Sequence, residues 1–394
     1  MKILFVHEVN YTEKVIFEMH EFPELLALRG HDVSFFHFPE RPAVVRRSLR
    51  TSVVEIPGRV HPGARIRLIT PPTLGGGTLD RYLAPILGLP ALRREIVHGG
   101  YDLIVLYAVP TTGWQTVSIA RRHGVPVVFR ALDVSHGIRD TPVSALIKLA
   151  ERHVYRGADA LSANNPAMAR YCIEASGRTG PTRVDLAPVD LSHFEREVQA
   201  DIRPRLGLSA GDRVLLYMGT FFPFSGLDIV VRGLPALIAR DPSIRLVLVG
   251  GGELESTLRA TVEELGLERH VLFTGIVPYA ELPEYLAAAD VGLNPFEPGL
   301  VTDIAIPHKV LQYMASGLPV VSTDLEGLHG VLGDESGVTF VAGPADVADA
   351  AYGLATIDRA MLASIADRQR RFAHSTFSEE SAVSAFEEHL RTVG

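Results

Sequence analysis

Two short segments in the second half of the chain have residue types and spacings suited to holding a polyanion. Gly219-Thr220 follows an apolar run, and Ser225-Gly226 opens a helix-like stretch. A strand–loop–helix junction of this kind leaves backbone N–H groups unpaired at the positive end of the helix dipole, which suits a diphosphate. Pro307-His308-Lys309 opens a second apolar helix-like stretch. The dipole opposes a cation in a first helical turn, so Lys309 makes most sense there with an anion present. Gly250-Gly251-Gly252-Glu253 follows another apolar run. Glycines let a ligand approach the backbone closely, and Glu253 can begin a helix. Each segment also has a plain structural use, as a tight turn or a solvated surface lysine.

The elements that must position these residues are legible as a pattern. Short runs rich in Val, Ile and Leu recur at 3–6, 33–38, 103–106, 125–129 and 161–163. A second series lies at 214–217, 246–249, 271–273, 291–293, 320–322 and 338–341. Runs without polar alternation read as strands buried on both faces. Helix-like stretches separate them at 13–28, 114–122, 144–155, 227–239, 254–265, 309–315 and 359–372, with an amphipathic stretch at 379–390. Strand alternating with helix argues an α/β fold with parallel sheets. The pattern breaks at 187–213, around Pro188, Pro204 and Gly207, and then restarts. Two such domains leave a ligand cleft at the carboxyl ends of their strands.

Composition excludes several classes. The 394 residues are 47% apolar and 21% charged, with a formal net charge of −8. That balance gives a nucleic-acid partner no electrostatic support. The single cysteine, Cys172, cannot form an intrachain disulfide or a Cys/His zinc cluster, which fits a reducing, cytoplasmic compartment. No apolar run reaches the ~18–20 residues of a membrane span. Met1-Lys2-Ile3-Leu4-Phe5-Val6 reads as a strand, not a signal peptide. The basic residues concentrate at Arg41, Arg46, Arg47, Arg50, Arg59, Arg65 and Arg67, with Glu55 the one opposing acid between 41 and 67. This stretch reads as a solvated loop with a hairpin, or as a face for an anionic acceptor or the inner membrane surface.

Taken in order, several motifs resemble the retaining glycosyltransferases of family 4. In the first half these are Phe22-Pro23-Glu24-Leu25-Leu26, Gly30-His31-Asp32-Val33, Glu151-Arg152-His153-Val154-Tyr155-Arg156-Gly157-Ala158-Asp159 and Val189-Asp190-Leu191-Ser192-His193-Phe194. In the second they are Tyr217-Met218-Gly219-Thr220, Val249-Gly250-Gly251-Gly252-Glu253, Phe273-Thr274-Gly275, Ala289-Asp290-Val291-Gly292 and Lys309-Val310-Leu311-Gln312-Tyr313-Met314-Ala315-Ser316-Gly317-Leu318-Pro319. The resemblance implies the GT-B fold, two Rossmann-like domains facing across a cleft. On this reading residues 1–195 form an acceptor-side domain and 196–374 a nucleotide-sugar domain. Residues 375–394 form a C-terminal helix that is a candidate to cross back to the first domain.

The resemblance also assigns roles. Relatives carry an Arg and a Lys where this chain has Thr220 and Ser225, so two cations are missing from the expected diphosphate site, and Lys309 is the candidate replacement. The family's Glu-x7-Glu pair falls on Ile304 and Gln312. Gln312 can still hydrogen-bond ribose, since its amide both donates and accepts. Thr302 and Asp303 are the neighbouring polar candidates, and Val277 is the candidate for backbone contact with the base. Donor binding is thus assigned to Gly219, Thr220, Ser225, Gly226, Gly250, Gly251, Val277, Thr302, Asp303, Lys309 and Gln312. Asp133 and His136, with Lys309, are the catalytic candidates; His136 is otherwise a turn residue. Glu8 and Asn10, replacing a glycine-rich turn, are the acceptor candidates. With no Asp-x-Asp in the chain, no metal is expected, and the only small molecule implied on the donor side is a UDP- or GDP-linked sugar. The implied activity is metal-independent, retaining hexosyl transfer to a small-molecule, saccharide or lipid acceptor. The substitutions at Thr220, Ser225, Ile304 and Gln312 leave open a silent GT-B-like binding or partner protein, and a nucleotide-sugar epimerase is a further alternative.

Overall fold

A computed structural model describes residues 1–14, 16–38, 48–74, 83, 86–137, 144–198 and 201–394. The chain forms two compact units, Met1–Pro188 with Glu379–Gly394, and Val189–Ser378. Residues 189–195 fall to the second unit. Helix Leu191–Glu195 packs there on helices Leu282–Ala287 and His308–Ser316, and the His193 ring stacks on Tyr279. Residues 375–378 also stay with the second unit, where the Val189 amide donates to the Phe377 carbonyl at 3.0 Å.

The first unit is built on strands β1 (Lys2–Val6), β2 (Asp32–Phe36), β3 (Ser52–Pro57), β4 (Arg65–Thr70), β5 (Leu103–Leu106), β6 (Val127–Ala131), β7 (Ala160–Ala163) and β8 (Thr182–Val184). Their order is β3-β4-β2-β1-β5-β6-β7-β8, parallel except for the β3–β4 hairpin. β5, β6 and β7 are buried at every residue, which is why their sequences lack polar alternation. The C-terminal helix Glu379–Val393 closes this unit's core with Val383, Phe386 and Leu390, and the Phe386 ring lies 4.3 Å from that of Phe22.

The second unit is built on β9 (Arg213–Thr220), β10 (Ile244–Gly251), β11 (Val271–Gly275), β12 (Val291–Asn294), β13 (Val320–Thr323) and β14 (Thr339–Val341), all parallel. The order β11-β10-β9-β12-β13-β14 is the doubly wound order 3-2-1-4-5-6, whose direction reverses between its first and fourth strands. In such sheets ligands bind at the carboxyl ends of the strands beside that reversal. Here it places the site at the ends of β9 and β12.

The helix expected over 13–28 is the shorter Glu18–Leu28. Residues before it turn instead, because the Asn10 side-chain oxygen accepts from both the amide (3.1 Å) and the hydroxyl (2.8 Å) of Thr12. The basic stretch is only partly an outward face. Arg59 turns inward, donating to the carbonyls of Tyr11 and Lys14 at 2.7 Å. Arg67 pairs with buried Glu95 at 2.9 Å, and Arg65 pairs with Glu55 along the hairpin at 3.0 Å. Arg50 is exposed; Arg41, Arg46 and Arg47 lie outside the described residues. Among the described residues no helix is long and apolar enough to cross a membrane.

Candidate functional site

The last residue but one of β9 is Gly219, whose φ of +132° is a conformation open to glycine. The chain then makes a single turn at Pro223–Ser225 and enters helix Leu227–Arg240 through Gly226 at φ +64°. Gly226 also has no room for a side chain, since a Cβ there would lie 1.9 Å from the Pro295 carbonyl oxygen. No side chain caps this helix, so its first amides remain without an intrahelical acceptor. Gly250 and Gly251 pair in register with Gly219 and Thr220. A Cβ on Gly250 would sit 2.0 Å from the Gly219 carbonyl oxygen. These glycines therefore hold the ends of β9 and β10 together and so shape the turn. The helix that follows begins at Glu255, two residues after Glu253.

Lys309 reaches this turn. It stands in the first turn of helix His308–Ser316, and a Cβ on Gly219 would be 3.2 Å from its Cε. Its Nζ donates to the Tyr217 hydroxyl at 3.1 Å and lies 3.9 Å from the centre of the Phe296 ring. Among the described residues it has no carboxylate partner. Desolvation holds its pKa well below that of an ordinary lysine. Tyr217 in turn donates to the Thr220 carbonyl at 2.9 Å. Four residues on from Lys309, the Tyr313 hydroxyl accepts from the Met218 amide at 2.7 Å. The i, i+4 spacing puts both side chains on one helix face, and together they clamp that helix to the end of β9.

The remaining donor-side candidates divide. Ser225 is fully buried and its hydroxyl has no hydrogen-bond partner. Gln312 is buried, and among the described residues its amide makes no hydrogen bond. A buried hydroxyl left unpaired costs about 1–3 kcal/mol, so Ser225 is open to a ligand's polar atoms. Thr220 is exposed. Thr302 differs from its expected role: its hydroxyl donates to the carbonyls of Glu297 (2.5 Å) and Gly299 (3.1 Å) and fastens its own loop. Burial and the nearby Glu326 charge raise the pKa of Asp303. Ile304 is buried as an apolar residue. Val277 is half-buried just beyond β11.

In the first unit Asp133 keeps solvent contact, yet desolvation by the surrounding protein, with the Glu151 charge adding to it, pushes its carboxyl up to about 6. His136 is not a free turn residue. Its Nδ1 lies 2.6 Å from Glu151, whose other oxygen accepts the His136 amide at 3.1 Å. Glu151, inside the quoted Glu-Arg-His-Val-Tyr motif, is fully buried and anchors the loop. The acceptor candidates are tied into their own loops. The Glu8 carboxylate accepts from the Val109 amide (2.5 Å) and from the Thr111 amide (3.2 Å) and hydroxyl (2.7 Å), bridging the loops after β1 and β5. Asn10 is used in the turn to Thr12 described above.

Sequence reasoning missed the aromatic enclosure of Lys309 and a buried network behind β6. Arg130 there meets both Glu18 oxygens at 2.7 and 2.8 Å and the Asp185 carbonyl at 2.6 Å, while His389 pairs with the Asp185 carboxylate at 2.6 Å. The signal for the first was present: Tyr217 lies two residues before Gly219, on the same strand face.

Known proteins agree with this architecture. A family model described as glycosyl transferases group 1 matches residues 212–357, and one described as glycosyl transferase 4-like domain matches residues 19–190. The chain is 31% identical over 332 residues to a D-inositol 3-phosphate glycosyltransferase of Thermomonospora curvata, covering 77% of this chain and 71% of that one. It is 34% identical over 161 residues to a GDP-mannose-dependent alpha-(1-6)-phosphatidylinositol monomannoside mannosyltransferase of Mycolicibacterium smegmatis, covering 38% of this chain and 42% of that one. The Anabaena protein HepE, solved in complex with UDP, superposes with a TM-score of 0.73 at 18% identity over the full length of both chains. With a glycine-shaped turn at the reversal of a doubly wound sheet, and with these relatives, the chain belongs to the group 1, family 4-like glycosyltransferases of the GT-B fold.

Proposed function

We propose that this glycosyltransferase takes its sugar from a nucleoside-diphosphate donor and transfers it with retention of anomeric configuration and without a metal ion. The observation that carries this reading is Lys309, an ammonium without a carboxylate partner, set against the Gly219 backbone. The helix dipole and desolvation both disfavour a cation there, and a bound diphosphate repays both. The relatives' names, which include a GDP-mannose-dependent enzyme and a structure with UDP, support a nucleotide-linked donor. They also support an acceptor that is a small phosphorylated polyol, a saccharide or a lipid-linked saccharide.

In the reaction, the bond from the anomeric carbon to the donor's diphosphate oxygen breaks. A bond from that carbon to the acceptor hydroxyl oxygen forms on the same face. The Gly226 amide, the first amides of helix Leu227–Arg240 and the Lys309 ammonium stabilise the charge of the leaving diphosphate. The acceptor proton passes to an oxygen of that leaving group. Asp133, ionised above about pH 6, orients sugar or acceptor hydroxyls, and His136 is held for the same task by Glu151. Gln312 contacts the ribose, and backbone groups near Val277 hold the base.

The test is a titration of the full chain with UDP and GDP, followed by donor turnover. Binding of one nucleotide, weakened about 10–100-fold in Lys309→Ala as expected for a lost charge-assisted bond, supports the reading. Unchanged affinity in that variant removes Lys309 from the site. A product of inverted configuration, or activity abolished by a chelator, overturns the mechanism.

A further inference from the structure

The helix that holds Glu151 inward carries a different surface outward. On Ser144–Gly157, Glu151, Val154 and Tyr155 are buried, while Leu146 is 62% and Leu149 52% exposed. Beside them, on helix Gly113–His123, Trp114 is 39% exposed and stacks on His153 with ring centres 4.2 Å apart. Exposed large apolar residues gathered on one face mark an interaction site. The exposed charges on these two helices have one sign. Lys148, Arg152, Arg156 and, near His153, Arg121 are all solvent-facing. Glu151 is the only acid of the two helices, and its carboxylate is buried on His136.

We propose that this face docks on an anionic lipid surface, with Trp114, Leu146 and Leu149 entering the headgroup region and the flanking cations meeting lipid phosphates. A helix with aromatic and leucine side chains on one side and Lys/Arg on the other lies in a membrane interface. Trp is favoured at that depth because its ring has an apolar body and a polar edge. The uncompensated cations select a negatively charged bilayer over a protein partner of mixed charge. The same helix holds the loop bearing His136 from its inner face through Glu151, so the docking face and the loop anchor are two sides of one element. The proposal does not depend on the donor-site reading, and it places the membrane face away from the basic stretch at 41–67.

The experiment is flotation of the full chain with vesicles of equimolar phosphatidylglycerol and phosphatidylcholine, against vesicles of phosphatidylcholine alone. The parent protein floats with the anionic vesicles and is released by high salt. Each cation removed by Lys148→Gln or Arg152→Gln lowers partitioning about fivefold. Leu146→Ser with Leu149→Ser lowers it roughly tenfold. These surface changes leave the fold intact, checked by an unchanged melting temperature, and Arg50→Gln with Arg65→Gln serves as the control at the hairpin. Equal partitioning of parent and helix variants, loss confined to the hairpin control, or no flotation together with self-association abolished by the leucine changes, each overturns the proposal.

Discussion

The Lys309 ammonium and the Gly219 backbone occupy the same few ångströms: a Cβ on Gly219 would touch Lys309 Cε at 3.2 Å and Nζ at 3.9 Å. One residue comes from the end of β9 and the other from the start of the helix after β12, so the meeting point is the reversal of the sheet. A cation thus meets the turn after β9 from a helix start some ninety positions along the chain.

Lys309 costs the free protein stability and returns it on binding. Its pKa is depressed by burial, so at high pH it is neutral in both folded and unfolded states and costs nothing. As pH falls below 10.5, the usual lysine value, the unfolded chain gains the proton first and the folded state loses ground. Lys309→Met therefore raises thermal stability, by about 1 kcal/mol or more at neutral pH, and the gap to the parent widens as pH falls below that value. Nucleotide binding favours the charged amine, so nucleotide affinity of the parent falls as pH rises, and Lys309→Met lacks that dependence.

Tyr217 links the two halves of the proposed donor site, accepting from Lys309 and donating to the Thr220 carbonyl. Tyr217→Phe keeps the buried ring and loses both bonds. Nucleotide affinity falls about fivefold, as expected for about 1 kcal/mol of lost positioning, and the two lost bonds lower the melting temperature by a few degrees. An affinity equal to the parent's disproves the positioning role.

Gly250→Ala is expected to be severe. The φ of +129° and the 2.0 Å approach of a Cβ to the Gly219 carbonyl leave no room for a methyl group. A loss of about 2–4 kcal/mol in denaturant unfolding is expected from strain and overpacking combined. Nucleotide binding weakens in parallel, because β9 must move. Gly233→Ala, on an open helix surface with nothing within 4 Å, is the control.

The acid limb of the transfer rate reports on Asp133. Its carboxyl, raised to about 6 chiefly by desolvation and then by Glu151, acts ionised, so kcat/KM falls as pH drops through about 6. Removing the Glu151 charge in Glu151→Gln lowers the Asp133 pKa and moves that limb to lower pH, even as His136 loses its anchor and the maximal rate declines. A limb that stays in place in Glu151→Gln, or persists in Asp133→Asn, shows that another group is titrating.

Arg130→Met leaves Glu18 buried without its partner, since Tyr107 lies at 3.4 Å and the guanidinium supplied the two short bonds. Breaking such a pair costs about 3–5 kcal/mol. The combined Glu18→Gln, Arg130→Met variant regains part of that loss, which urea unfolding curves resolve.

The sequence by itself determined the elements and their order. Apolar runs without alternation must be buried on both faces, and the glycines at 219, 226 and 250 and the proline before Lys309 mark where chains turn or helices begin. These are local consequences of side-chain size, backbone freedom and solvent exclusion, so one-dimensional patterns carry them. What only the tertiary structure decided is how each polar group spends its hydrogen bonds. Nothing local distinguishes Glu8, absorbed by the amides after β5, from Asp133, left open to solvent. Thr302 and Asn10 look like ligand contacts in sequence, and their own loops claim them. Arg59 and Arg67 read as a basic surface until the partners across the sheet are in place. A polar side chain becomes a site when the fold leaves it unpaired, and pairing is settled by residues distant along the chain that packing brings within hydrogen-bond reach.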